Sequence, residues 1–337
     1  MTKNLKTKII AEIGINHGGS VSKAFKYIIA AKKSGADVAK FQFFTTSQLV
    51  SKNAKKAPYQ LNSKKDKKKQ FSLLKPLELS IDNFLKIKKF CVKKKIDFMI
   101  SIFDDSGIQA VKKLGISTIK IPSGEINNYP LVKKIAKLKK KIILSTGMSN
   151  LKEIRETIKT LNKNGIKKKN ITILQCNSSY PTPINDVNLN VLKEYKKKLK
   201  LKIGYSDHTQ GIESSLAAVA LGATVIEKHF TLNKKLKGPD HSTSLDPKDF
   251  KNLTFQIRNI EKCLGTKIKK ITRSEKENYK IVRKSIVANN FIKKGEKFHS
   301  RNITTKRPAG GLGPEKWNKL IGKIAKKNFK EDEFIQI

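Results

Sequence analysis

The chain has 337 residues, enough for a large domain with a full hydrophobic core and for a second, smaller one. Hydrophobic residues make up 38% of it, but no apolar run reaches about 18 residues, which excludes a protein built on membrane-spanning helices. The net charge of +46 suggests the hypothesis of nucleic-acid binding. The lysine runs, however, are spread along the whole chain without interleaved aromatic residues, which favours compositional bias as the source of the charge.

Short apolar runs alternate with helical periodicity over the first 250 or so residues. They predict eight strands, at 8–14, 37–43, 97–103, 118–123, 141–146, 171–176, 201–206 and 224–230. The helical patterns lie at 22–34, 81–95, 106–114, 129–138, 150–164 and 212–221, with a closing helix at 250–264. So many βα units predict a TIM (β/α)8 barrel rather than an open doubly wound sheet, which usually has fewer strands.

The loop after the second predicted strand is unusually long and polar, spanning residues 44–80. Long loops inside compact domains are usually functional. We therefore expect this insertion to act as a lid or to contact a substrate.

The end of the chain differs in character from the barrel region. We predict a barrel domain over residues 1–265, a polar linker over 266–282, and a small β-rich domain over 283–337. In the last of these, short apolar runs are broken by glycine and other turn residues.

Two features bear on the cellular compartment. The first residues contain no long apolar segment and no small-residue cleavage site, so we expect no signal peptide. The three cysteines, Cys91, Cys176 and Cys263, lie far apart without metal-ligand spacing, and we expect all three to be buried core thiols. Both features favour the cytoplasm.

Polar side chains appear where the predicted strands end. In a TIM barrel, catalytic residues lie at the carboxyl ends of the strands. Here those ends carry Glu12, Lys40, Gln42, Ser101, Lys120, Ser123, Glu125, Ser145, Ser178, Tyr180, Ser206, His208, Glu227 and His229. Every strand contributes, so the pattern predicts a polar site at this end of the barrel.

His208 and His229 are 21 residues apart, which is one βα repeat. They should therefore lie at matching heights on neighbouring strands and point to the same mouth. As an isolated pair they are compatible with core or surface histidines. In this polar setting they favour a divalent metal site with open positions for water and substrate.

Lys40 and Lys120 lie among apolar strand residues, where an unpaired ammonium is costly. One interpretation is a structural ion pair with a strand-end carboxylate: Glu12, Glu125 or Glu227. The other is an acidic phosphorylated ligand held together with Ser123, Ser206 and the backbone around Gly124 and Gly147. The three carboxylates themselves fit acid–base groups, partners of metal ligands or acceptors of sugar hydroxyls. The sequence leaves their roles open.

The chain resembles bacterial N-acetylneuraminate (sialic acid) synthases, including the legionaminic acid synthases, from end to end. The barrel segments that carry the resemblance are AEIGINHGGS, VAKFQFF, KIPSGEINNYPL, ILSTGM, SYPTPINDVNLN, GYSDHTQG, VIEKHFTL and GPDHSTSLDP. In the tail they are RKSIVANNFIKKGE and ITTKRPAGG, which resemble the antifreeze-protein-like (SAF) domain of this family. At the third strand the family usually has STPF where this chain has ISIF, so Ser101 replaces a threonine and Ile102 a proline.

The resemblance implies an enzyme that condenses phosphoenolpyruvate with N-acetylmannosamine and water to give N-acetylneuraminate and phosphate. The alternative is a legionaminic acid synthase, which uses 2,4-diacetamido-2,4,6-trideoxymannose. An alternative from another class is a basic nucleic-acid-binding protein, whose affinity for a duplex would fall steeply with salt.

The resemblance also implies roles for individual residues. His208 and His229 would bind Mn²⁺ or Mg²⁺, and the catalytic set would comprise Glu12, Glu125, Glu227, His208 and His229. Phosphoenolpyruvate would be held by Lys40, Ser101, Lys120, Ser123, Ser178 and Ser206. The amino sugar would contact Glu12, Gln42, Tyr180, Asp240 and Arg307. Arg307 would reach the active site of a partner subunit, which implies a domain-swapped homodimer.

Overall fold

A computed structural model describes residues 6–57, 60 and 69–336. The chain divides into two compact units, Met1–Gly265 and Thr266–Ile337. Within the predicted 44–80 insertion, residues 58–59 and 61–68 lie outside the described residues.

The first unit is a closed barrel of eight parallel strands in chain order, which confirms the predicted TIM barrel. The strands are β1 (Lys8–Gly14), β2 (Val38–Phe43), β3 (Asp97–Ile102), β4 (Thr118–Ile121), β5 (Lys141–Ser145), β6 (Ile171–Cys176), β7 (Lys202–Asp207) and β8 (Val225–His229). Strand β8 pairs with β1, with Glu12 opposite His229, and so closes the barrel.

Helices alternate with the strands and surround the barrel. They are α1 (Val21–Lys33), α2 (Thr46–Leu49), α3 (Gln70–Leu74), α4 (Ile81–Lys93), α5 (Asp105–Lys113), α6 (Tyr129–Lys137), α7 (Leu151–Lys163), α8 (Val191–Leu199), α9 (Glu213–Ala220) and α10 (Pro247–Leu264). Helix α8 was not predicted from the sequence, because its lysine run obscures an apolar stripe. Leu192, Tyr195 and Leu199 form that stripe at helical spacing and are buried, while the lysines face outward.

An apolar plug fills the barrel interior beneath the mouth. Its side chains come from six strands: Ile10, Val38, Met99, Ile143, Leu174 and Val225. Because side chains alternate along a strand, the residue two positions further on faces the same interior. Those residues are Glu12, Lys40, Ser101, Ser145, Cys176 and Glu227. The plug thus forms the floor of a polar layer and separates that layer from the far end of the barrel.

The second unit contains α11 (Lys276–Val282), β9 (Ser285–Ala288), β10 (Ile303–Lys306) and α12 (Trp317–Leu320). Strands β9 and β10 form an antiparallel pair, and isolated β-bridges extend the pairing. A separate small core of buried side chains includes Ile286, Phe298 and Phe329. The segment predicted as a polar linker ends in helix α11, whose side chains are exposed.

Two further predictions can be compared with the structure. Cys91 and Cys176 are buried free thiols as expected, but Cys263 is exposed. The expectation for Cys263 is wrong because it lies in the last turn of α10, beyond the buried stripe that ends at Ile257. Among the described helices, none has both the length and the apolar character needed to cross a membrane.

Candidate active site

A cavity of about 400 Å³ opens at the carboxyl ends of the barrel strands. It brings together nearly all the side chains singled out from the sequence: Glu12, Lys40, Gln42, Ser101, Lys120, Ser123, Glu125, Ser178, Tyr180, Ser206, His208, Glu227 and His229. A second cavity of about 760 Å³ borders on α7 and α8 and shares Met148, Cys176 and Ser178 with the first. Of the described residues, Lys40, Lys120 and the two imidazoles are absent from the lining of the second cavity, so the candidate chemistry belongs to the smaller one.

Two lysines and two glutamates form a buried charge cluster on the cavity floor. Lys40 Nζ lies 2.8 Å from Glu12 Oε2 and 3.5 Å from Glu227 Oε2. Lys120 Nζ lies 3.0 Å from Glu227 Oε1, and all four side chains are at most 5% exposed. The ion pairs proposed as one interpretation of the lysines therefore exist, with Glu12 and Glu227 as partners. Because the cluster also lines the cavity, an anionic ligand can still contact it.

Burial and mutual attraction fix the charges in this cluster. Burial raises the pKa of Glu12, and the neighbouring Lys40 offsets that rise only in part. Burial acts to lower the pKa of Lys40, but Glu12 and Glu227 outweigh it and raise that pKa. Burial opposes ionisation of Glu227 too, yet Lys120 and Lys40 lower its pKa to about 2. For Lys120 burial prevails, and its pKa is lowered. Lys40 is therefore the more firmly charged of the two cations.

Hydroxyl groups surround the lysines. Lys40 Nζ donates to Ser101 Oγ at 2.8 Å, and Ser206 Oγ donates to Glu227 Oε1 at 3.0 Å. Ser123 Oγ accepts the backbone N–H of Gly147 at 3.0 Å. A side chain on Gly147 would overlap the Ser178 hydroxyl and come within 2.9 Å of Ser123 Oγ. The glycine therefore lets the backbone approach both hydroxyls closely.

Ser145 and Cys176 line the cavity without having been assigned a role from the sequence. In the part of the chain that the structure describes, the buried Ser145 hydroxyl has no hydrogen-bond partner, and Cys176 Sγ lies 3.7 Å from His208 Nδ1. Both residues could have been found from the alternation of side chains along a strand, because each follows a residue of the apolar plug by two positions.

The two imidazoles meet as predicted from their spacing. The ring centroids of His208 and His229 are 5.4 Å apart, and the Tyr180 ring packs against both, at 4.1 Å and 5.6 Å. His208 Nδ1 donates to the carbonyl of Asn177 at 2.6 Å, which keeps a proton on Nδ1 and makes Nε2 the nitrogen that gains or loses one. Burial, with His208 and Lys40 nearby, holds the pKa of His229 well below its usual range.

The chemistry of this pair of side chains is compatible with a divalent ion. His229 Nδ1 is buried, has no hydrogen-bond partner among the described residues, and lies 3.8 Å from Asp240 Oδ2. Neutral imidazoles with free ring nitrogens are common ligands of divalent transition ions. Within the described residues, no group of three or more His, Cys, Asp and Glu side chains is arranged to hold a metal. Two imidazoles would therefore leave the remaining positions to water and substrate.

Within the described part of the barrel unit, Asp240 is the candidate residue that does not line the cavity. Asp240 is buried beside it, and burial together with the neighbouring Glu12 raises its pKa to about 7. Arg307 is an exposed residue of the second unit. Its predicted reach into a partner subunit stays a prediction.

Described parts of the long insertion form one wall of the cavity, including Leu49, Val50, Ala57, Gln60, Gln70 and Leu74. Leu74 packs with Ile15 and Phe44 in a small apolar cluster next to Phe103. The prediction that this insertion contacts a substrate remains untested, but its position beside the charged floor is compatible with it.

The fold and the site together are those of a TIM-barrel synthase of the sialic acid type. Residues 27–269 match the NeuB family and residues 283–337 match the SAF domain. The chain belongs to the NeuB family, and the predicted C-terminal SAF domain is confirmed.

Three relatives illustrate the similarity. The chain is 51% identical to the N,N'-diacetyllegionaminic acid synthase of Campylobacter jejuni, over 98% of this chain and 99% of that protein. It is 36% identical to the human N-acetylneuraminate-9-phosphate synthase, over 97% of this chain and 90% of that protein. The crystal structure of an N-acetylneuraminic acid synthetase from Leptospira borgpetersenii, in complex with citrate, is 33% identical with a TM-score of 0.71. That similarity covers 82% of this chain and 90% of the other.

Proposed function

We propose that this chain condenses phosphoenolpyruvate with an N-acetylated amino sugar and water, releasing phosphate and forming a nine-carbon 2-keto acid. The single observation that supports this best is the cavity in which Lys40 and Lys120 lie beside the two imidazoles. An enol phosphate needs buried cations, and a sugar aldehyde needs an electrophilic activator next to them. The similarity to the N,N'-diacetyllegionaminic acid synthase and to the N-acetylneuraminate-9-phosphate synthase covers almost the whole chain.

In this proposal each part of the cavity floor has a task. Lys40 and Lys120 bind the anionic groups of phosphoenolpyruvate, with Ser123 and Ser206 donating hydrogen bonds to them. The enol carbon C3 forms a bond to the sugar aldehyde carbon, water adds at C2, and the C–O bond to phosphate breaks. The additional candidate ligands of phosphoenolpyruvate are Ser101 and Ser178.

The amino sugar would contact Glu12, Gln42, Tyr180 and Asp240. Gln42 Nε2 donates to Glu12 Oε1 at 3.3 Å, so these two already form a polar edge that sugar hydroxyls can join. Asp240 Oδ2 lies 3.8 Å from His229 Nδ1, which places this carboxyl beside the proposed metal ligand. Glu125, half-buried at the cavity edge, accepts from Asn128 Nδ2 at 2.7 Å and stays a candidate acid–base group.

We propose that His208 and His229 hold Mn²⁺ or Mg²⁺. When bound, such an ion supplies Lewis-acid polarisation of the sugar aldehyde. The support is His229 Nδ1, which has no partner among the described residues, and the hydrogen bond of His208 Nδ1, which leaves Nε2 as the basic nitrogen of the neutral ring. His229→Ala should abolish turnover and Mn²⁺ binding, measured by titration calorimetry, while the far-ultraviolet circular dichroism stays unchanged. Full activity after removal of all divalent ions would refute the metal role.

For the sugar, the 51% identity with the C. jejuni N,N'-diacetyllegionaminic acid synthase favours 2,4-diacetamido-2,4,6-trideoxymannose over N-acetylmannosamine. The test is phosphate release from phosphoenolpyruvate with Mn²⁺ and each sugar in turn, with and without chelator. Release with the diacetamido sugar alone supports this choice. Release with N-acetylmannosamine alone makes the chain an N-acetylneuraminate synthase, and release with neither refutes the condensation.

We further propose that the protein is cytoplasmic and that Arg307 completes the sugar site of a partner subunit in a homodimer. Arg307 is exposed in its own unit, and its guanidinium suits an acyl oxygen of a sugar as a hydrogen-bond donor. A test of this arrangement by subunit mixing is given in the Discussion.

A further inference from the structure

A buried ion pair lies on the outer face of the two strands that carry the imidazoles. Asp207 Oδ2 lies 3.0 Å from Lys228 Nζ, and both side chains are 0% exposed. The two residues are direct partners in the β7–β8 ladder. Replacing a buried ion pair by apolar side chains is often neutral or stabilising, so stability alone does not explain this one.

The alternation of side chains connects this pair to the cavity. Asp207 and Lys228 face the surrounding helices, whereas the residue after each of them, His208 and His229, faces the cavity. The ion pair therefore ties β7 to β8 at the rung directly before the imidazoles. It acts between the same two strands whose separation sets the 5.4 Å distance between the rings.

The residue after His208 is held by the same two side chains. Lys228 Nζ donates to the carbonyl of Thr209 at 2.6 Å. Asp207 Oδ1 accepts both the backbone N–H and the hydroxyl of Thr209 at 2.8 Å. His208 is thus bracketed, because the residues on both sides of it bind to Lys228 and to each other.

The network also reaches the start of helix α9. Ser214 Oγ and Ser215 Oγ donate to Asp207 Oδ2 at 2.9 Å and 2.6 Å. Both oxygens of Asp207 and the Lys228 ammonium are therefore fully engaged, and neither residue lines the cavity. A saturated buried network of this kind rigidifies its surroundings but offers no group to a substrate.

We propose that Asp207 and Lys228 are positioning residues, which hold His208 and His229 at the separation that lets both imidazoles bind one divalent ion. This rests on the metal role proposed above. Groups that orient metal ligands change metal affinity or activity by about 10- to 100-fold when removed. The pair acts through strand geometry and does not contact the reacting atoms.

The test is a double variant that removes both charges together, Asp207→Asn with Lys228→Met, in the full-length chain. Mn²⁺ binding to the metal-free protein is measured by titration calorimetry, and the distance between the imidazoles is measured in crystals. We expect the Kd for Mn²⁺ to rise about 10- to 100-fold, with the KM for phosphoenolpyruvate changed by less than about threefold. We also expect the distance between the rings to change.

The control is a second ion pair, between Arg258 Nη2 and Asp37 Oδ2 at 2.9 Å. Both side chains are partly buried, and the pair lies next to the amino ends of the strands. Asp37→Asn with Arg258→Met should lower the Tm and leave the Kd for Mn²⁺ as in the wild type. If the Asp207/Lys228 variant behaves like this control, with only its Tm lowered, the positioning role is refuted.

A milder variant covers the case in which the double variant does not fold. Thr209→Val keeps the ion pair and the backbone bonds but removes the hydroxyl that Asp207 accepts, so the Kd for Mn²⁺ should rise by a smaller factor. An unchanged Kd in this variant overturns the proposal. If the wild type binds no Mn²⁺, the metal role fails. The imidazole distance in crystals of these variants then decides the positioning role, and an unchanged distance refutes it.

Discussion

Lys120 Nζ lies 3.0 Å from Glu227 Oε1 inside the barrel, and the second oxygen of the same carboxylate lies 3.5 Å from Lys40 Nζ. Glu227 therefore compensates the charge of both cations, and Glu12, which lies 2.8 Å from Lys40 Nζ, shares in the compensation of Lys40. An anionic substrate that approaches the lysines takes over part of that compensation. The increase in Tm that phosphoenolpyruvate causes should consequently change when Glu227 is mutated.

Glu227→Gln should destabilise the protein by about 3–5 kcal/mol, because it leaves buried lysine charge without its partner. Phosphoenolpyruvate should then raise the Tm of the variant more than that of the wild type, since the ligand replaces the missing charge. Thermal unfolding with and without the ligand measures both effects. Asp97→Asn, which removes an ion pair with Lys8 whose side chains are 46% and 67% exposed, is the control. It should cost at most about 1 kcal/mol, with the ligand shift of the wild type. Equal ligand shifts in Glu227→Gln and the wild type would contradict the shared compensation.

Gly147→Ala should raise the KM for phosphoenolpyruvate, because the new methyl group would displace the hydroxyls of Ser178 and Ser123. We expect an increase of about tenfold or more, comparable with the loss of one to two hydrogen bonds. Gly165→Ala is the control, because Gly165 is not among the residues that line the cavity and, within the described part of the chain, a Cβ there meets only Lys139 Cε, at 3.9 Å. Steady-state kinetics of the two variants provide the comparison, and similar KM values in both would show that the close approach at Gly147 does not matter.

His17 should make the folded state sensitive to acid. Burial lowers the pKa of its imidazole from 6.5 to about 4. Between these two values the unfolded chain binds a proton that the folded chain does not, so the free energy of unfolding falls as the pH falls. The full loss of unfolding free energy is about 3 kcal/mol. It is absent at pH values above the unfolded pKa and complete below the folded pKa.

Urea unfolding between about pH 7.5 and pH 4 measures this dependence. His17→Gln, whose amide can still accept the N–H of Gly19 that His17 Nδ1 accepts at 3.1 Å, should flatten the curve relative to the wild type. His299→Gln is the control, because that side chain is 45% exposed. A wild-type slope that persists in His17→Gln would assign the acid sensitivity to other groups.

Mixing two inactive variants tests the proposed role of Arg307 in a partner subunit. His229→Ala disables a barrel, and Arg307→Ala disables a tail. In a swapped homodimer, a mixed dimer regains one intact site, so an equal mixture should recover about a quarter of the wild-type activity. If Arg307 acts on its own barrel, or not at all on the sugar, subunit exchange restores nothing.

Much of the barrel was predictable because its strands are buried on both faces and appear in the sequence as short apolar runs. Each predicted strand overlaps an observed one, and Ile171–Cys176 matches to the residue. Helix α8 was missed for a physical reason: when lysine is frequent everywhere, a lysine run no longer distinguishes a loop from the solvent face of a helix. The small apolar stripe of Leu192, Tyr195 and Leu199 carried the information instead.

The residues of the site were predictable from position, whereas their pairings were not. Strand ends predicted that Glu12, Lys40 and Glu227 would meet, but the choice between an ion pair and a ligand contact depends on distances of a few ångströms across three strands. The Asp207–Lys228 ion pair was not predicted, because in the sequence each residue is only a charged neighbour of a histidine. Only the register of β7 against β8 places them together.

The wall of the cavity that comes from the segment between β2 and α4 has a different origin from its floor. The floor is built from eight strands whose register is fixed by barrel closure, whereas Leu49, Val50 and Leu74 come from a single connection. Substitutions, insertions and deletions in that connection leave the hydrogen-bond ladders untouched. Because that connection borders the cavity, changes in it alter the wall that a ligand meets while the charged floor stays the same.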